Sequence, residues 1–68
     1  MTVSQLCNLS RCDVHFYTFD GGKFEQAATY FHKVDRLVIE EGHNDCTFDT
    51  VVVSADAFGV ALVAYIRR

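Results

Sequence analysis

Cys7-x4-Cys12 and His43-x2-Cys46 are the pairs whose chemistry and spacing suit a soft metal ion. A tetrahedral Zn²⁺ site takes four such sulfur and nitrogen donors. Zinc knuckles more often use Cys-x2-Cys, with two residues between the cysteines, and these two pairs stand far from one another in the chain. The simpler reading makes the three cysteines small apolar residues of the interior. No metal or other cofactor is expected, and a zinc-stabilised domain is kept as an alternative.

A cysteine beside a histidine can also form an activated thiolate pair. Cys12 and His15 are close in sequence, but an offset of three on a strand sends them to opposite faces. Cys46 and His43 are able to meet within a loop, yet no orienting third group accompanies them. Paired carboxylates need a shielded cleft to separate their acid and base roles, whereas Glu40, Glu41, Asp45 and Asp49 fall in a segment that reads as solvated. Asp45-x3-Asp49 lacks the ligand ladder and glycine of a calcium loop. Asp20-Gly21-Gly22-Lys23 is too short for a phosphate loop, and a turn explains its glycines. No enzyme is expected.

Charge is distributed unevenly along the chain. Nine acids against six bases give a net charge of −3. Residues 1–34 balance, but residues 35–56 carry Asp35, Glu40, Glu41, Asp45, Asp49 and Asp56 against Arg36 alone, a net of −5. Such a surface disfavours contact with phosphate backbones and favours a cationic protein partner. Tyr17 and Phe19 could stack on bases, but the scattered Arg11, Lys23, Lys33 and Arg36 do not form a nucleic-acid track.

The elements that must position these residues are few. Phe24, Ala27, Ala28, Tyr30, Phe31, Val34, Leu37, Val38 and Ile39 gather on one broad side of a helical wheel, which predicts a helix from Phe24 to Glu41 closed by Gly42. Asp35 then falls on the apolar side, where it needs a base or a contact surface. A shorter helix from Lys23 to Val34, followed by a strand from Arg36 to Glu40, would make Asp35 a turn residue. Alternation predicts strands at Asp13–Phe19, Thr47–Ser54 and Val60–Ile66, with a weaker one at Thr2–Cys7. The last two main strands form a hairpin through Ala55–Gly59.

These elements predict a single α+β domain spanning residues 1–68. Its small antiparallel sheet of three or four strands packs on one amphipathic helix, in the order β-β-α-β-β or β-α-β-β. Half the residues are hydrophobic, which is too many for intrinsic disorder. No segment reads as a signal peptide or a membrane span, so a cytoplasmic protein is expected. The expected function is a non-enzymatic protein-binding module, in the manner of a phage or mobile-element inhibitor of the anti-CRISPR type. It would block a basic nucleic-acid-binding surface of its partner, with Asp35, Glu40, Glu41, Asp45 and Asp49 as contacts. The alternative is a homodimer joined through an edge strand or through a bare sheet face bearing Tyr17 and Tyr65.

Overall fold

A computed structural model describes residues 1–20 and 22–67; Gly21 of the glycine turn and Arg68 lie outside the described residues. The fold is α+β, and among the described residues it has one α-helix, α1 (Val3–Leu9), followed by five strands: β1 (Val14–Asp20), β2 (Lys23–Phe31), β3 (Arg36–Ile39), β4 (Val51–Phe58) and β5 (Ala61–Arg67). They form one sheet in the order β3-β2-β1-β5-β4. Three strand pairs are antiparallel, but the central pair, β1 and β5, is parallel. The sheet is therefore mixed rather than antiparallel, and the helix comes first rather than between strands.

Two expected elements change type. The predicted helix from Phe24 is the strand β2, a 3-10 turn (His32–Val34) and the strand β3. A β-bulge misled the helical wheel. Phe16 pairs with Ala28 and Tyr17 with Gln26, so Ala27 is the extra residue. A bulge shifts the alternation of side chains by one residue. Ala27, Ala28 and Tyr30 consequently all face the core, and the sequence takes on an i, i+3 appearance. The shorter-helix alternative located β3 to within one residue but still assigned β2 as helix.

The predicted strand Thr2–Cys7 is α1. Thr2 accepts a hydrogen bond from the Gln5 backbone N–H while the Gln5 side chain accepts one from the Thr2 N–H, a complete capping box. This Thr-x-x-Gln spacing satisfies two donors that a helix start leaves unpaired. Val3, Leu6 and Cys7 then point inward.

The core lies on one face of the sheet. Val14 and Phe16 of β1, Ala28 and Tyr30 of β2, Val52 of β4, and Ala64 and Ile66 of β5 pack with Val3, Leu6 and Cys7 of α1 and with Cys46. Because β3 and β4 are opposite edges, residues 40–50 must cross the molecule. They do so over this same face, beside α1. The β4–β5 hairpin matches the expected one, shifted toward the C-terminus, and Gly59 supplies the positive φ of 63° that its turn requires. No helix among the described residues is long and apolar enough to cross a membrane.

Candidate functional site

The crossing from Glu40 to Thr50 carries most of the acidic residues singled out in the sequence. It has no regular secondary structure, yet it is held at many points. The Glu40 N–H donates to the Ala27 carbonyl at 2.9 Å, His43 to Glu40 at 3.1 Å and Cys46 to His43 at 2.9 Å. Gly42 allows the first turn with a φ of 87°. Thr50 Oγ1 accepts from the Thr47 N–H at 2.8 Å. Carbonyls of Phe48 and Thr50 accept from Ser4 and Val3 at the start of α1, both at 2.9 Å. The helix thus lends its unpaired N-terminal donors to the crossing.

Two side chains anchor this segment. His43 is 7% exposed and Cys46 4% exposed. Between and around them, Glu40, Glu41, Asp45 and Asp49 are all exposed. The result is an ordered acidic surface whose backbone is pinned to the core.

His43 has a divided environment. Its Nε2 lies 3.6 Å from Glu25 Oε2. Nδ1 is buried with no hydrogen-bond partner. The ring lines a cleft of about 230 Å³ with Ala27, Asp45, Cys46, Thr50, Ile66 and Arg67. That volume is below the roughly 300–1,000 Å³ of most small-molecule sites.

Asp35 is placed apart from the other four acids. It precedes β3, whereas Glu40 follows it. Its φ of 49° and ψ of 49° close the 3-10 turn in the left-handed conformation. Its Oδ1 accepts a 2.5 Å hydrogen bond from the Tyr30 hydroxyl. That bond, together with burial and the nearby charge, pushes the Tyr30 pKa up to about 12. Burial, with a smaller effect from the Asp35 charge, pushes the Cys7 thiol up to about 11. Cys7 therefore stays protonated at neutral pH and is a poor nucleophile.

The Cys7, Cys12, His43 and Cys46 set does not assemble. Among the described residues, no group of three or more His, Cys, Asp or Glu side chains is arranged to hold a metal ion. Cys46 and His43 adjoin through backbone, both buried. Cys12 precedes β1, while His15 lies on the sheet face away from the core.

That second face is the feature the sequence partly foresaw. It carries a run of rings across three strands. Phe19 and Phe24 meet edge-on with centroids 5.0 Å apart, Phe24 lies 5.3 Å from Tyr65, and Tyr65 lies 6.4 Å from Tyr17. Phe19 and Phe24 remain 62% and 61% exposed. Beside the rings, the Gln26 amide bridges Thr29 Oγ1 at 2.6 Å and His15 Nδ1 at 3.2 Å. Placing Phe24 on the apolar side of a helix missed its outward position beside Phe19; the alternation of both with Thr18 and Glu25 in the β1–β2 hairpin is the signal that locates them.

No protein-family model matches the chain, and no curated protein or solved structure matches it.

Proposed function

We propose that this chain is a non-enzymatic module that binds a protein partner with a basic surface through the crossing at residues 40–50. The observation that carries this reading is the combination of exposed Glu40, Glu41, Asp45 and Asp49 with a backbone held by buried His43 and Cys46. Holding the acids in place before contact reduces the ordering cost of association. Their common sign speeds encounter with a cationic surface and sets its orientation. Occlusion of a surface that otherwise holds nucleic acid is the specific form this takes, as in an inhibitor of the anti-CRISPR type. Asp35 is assigned a structural role instead, since Tyr30 occupies it.

Affinity capture with the wild-type chain and with an E40K/E41K/D49K variant tests this function. Circular dichroism first establishes that the variant is folded. A partner with a basic surface should be held by the wild-type chain, lost on added salt and lost with the variant. A partner held equally by both chains rules out the acidic crossing.

A further inference from the structure

We infer that the open face of the sheet joins two copies of this chain, related by a two-fold axis running along β1. This contact is separate from the acidic crossing, which lies on the opposite side of the sheet.

The face is apolar beyond what an isolated surface needs. Phe19 and Phe24 are joined on it by Phe31 and Val38, each 40% exposed, and by Phe58, 76% exposed. Exposed apolar side chains gathered in this number on one sheet face mark a protein contact. Strand spacings of about 4.8 Å and rises of about 3.3 Å per residue give five strands of this length a face of about 500 Å². Covering it on both copies removes about 1,000 Å² from water, the low end for a specific complex. A weak, micromolar dimer is the matching expectation.

The charges on this face select a second copy and its orientation. Strand β1 is the middle of the sheet, with β3 at one edge and β4 at the other. Arg36 pairs with Phe31 on β3, and Asp56 pairs with Val63 on β4. Both point to the open face by alternation, and both are exposed. Among the described residues neither belongs to an ion pair.

Their heights along the strands follow from the register. Tyr30 is level with Val14, so Arg36 stands one residue below it; Asp56 is level with His15 through Val63. The two differ by two residues, or about 7 Å, which an arginine side chain spans. Phe58 pairs with Ala61 and stands at the same height as Arg36.

An axis along β1 exchanges the two edges without reversing strand direction. It therefore sets Arg36 of each copy against Phe58 and Asp56 of the other, giving two equivalent cation–π and ionic contacts. An axis across the strands would instead lay each edge on its own copy, Arg36 edge to Arg36 edge and Asp56 edge to Asp56 edge. The first arrangement matches charges and the second does not.

Sedimentation equilibrium of the full chain from micromolar to millimolar concentration tests the contact. The wild-type chain should show a monomer–dimer equilibrium. R36E and D56R should each raise its dissociation constant about ten-fold, by placing like charges face to face, and R36E/D56R should restore it. F24S should weaken it as well. Circular dichroism checks each fold, and E40K/E41K/D49K should leave dimerisation unchanged, which separates this contact from the function proposed above. A monomer at every concentration overturns the inference, including one whose open face proves to hold a different protein. So does a dimer indifferent to R36E and D56R, or a double variant that fails to recover.

Discussion

Tyr30 and Asp35 are joined by a 2.5 Å hydrogen bond that spans the turn between the second and third strands. Tyr30 is buried in the core, and Asp35 stands in the left-handed conformation at the turn's end. The bond fixes how β3 returns along β2. A carboxylate acceptor makes it stronger than a bond between neutral groups. It also gives the fold an alkaline limit.

Both Tyr30 and Cys7 have pKa values raised in the folded chain. Between pH 9 and 12 the fold therefore retains protons that the unfolded chain releases, and stability falls as pH rises. The Cys7 contribution is complete below about its ordinary value of 9.0 and is lost through about 11. The Tyr30 contribution is complete below 10.0 and is lost through about 12. Thermal melts across this range should show declining midpoints, and tyrosinate absorbance should appear late. Y30F should flatten the upper part of the decline. An equally steep loss in Y30F would remove Tyr30 as its source.

D35N separates the charge of Asp35 from its geometry. Asparagine tolerates the left-handed conformation and keeps an acceptor for the Tyr30 hydroxyl. We expect D35N to melt below the wild type at neutral pH. The gap should narrow as pH rises from 10 through about 12, where the wild-type carboxylate comes to oppose the tyrosinate. A gap of constant size would mean that the charge has no part in it.

The fold class was legible in this sequence, and so were β1, the closing hairpin and the acidic surface. Each rests on a local pattern that the structure leaves intact: alternation in Val14–Phe19, the glycine before Val60, the run of carboxylates from Glu40 to Asp49. What misled was phase. One extra residue, Ala27, turns an alternating strand into an apparent helix, and its cause is pairing with β1, which no local window contains. The N-terminal helix is a different case. Thr2 and Gln5 already spelled its cap, but seven residues are too few for helical periodicity to declare itself. Asp35 is the turn residue that the shorter-helix alternative makes it; its bond to Tyr30 is what stays hidden, because both alternatives put Tyr30 on a helix rather than on the strand that brings its hydroxyl to the turn.

The cap offers a direct test of how α1 is held. T2A removes the acceptor for the Gln5 N–H and should cost about 1 kcal/mol, within the usual range of 0.5–2 kcal/mol for an N-cap. Q5A should cost less, because the Thr2 N–H that it frees is open to water. Urea denaturation of both variants provides the measurement. Equal midpoints for T2A and the wild type would show that docking of Val3 and Leu6, not the cap, holds the helix.

Phe16 sets the margin of the whole fold. It is fully buried at the centre of β1, where Ala28 and Ala64 flank it on the neighbouring strands. Those two small residues leave the space its ring fills. A chain of this length has a total stability of roughly 3–10 kcal/mol. Removing a buried phenylalanine side chain costs about 3–5 kcal/mol, through lost transfer energy and the cavity left behind. F16A should therefore lose a large share of the fold's stability and unfold at a much lower urea concentration, while F16L keeps most of the volume and should show a smaller drop in midpoint. Far-ultraviolet circular dichroism and urea titration distinguish these outcomes. A cooperative, wild-type-like transition for F16A would mean that α1 and the crossing close over the vacated space, and that this core is more compliant than its packing implies.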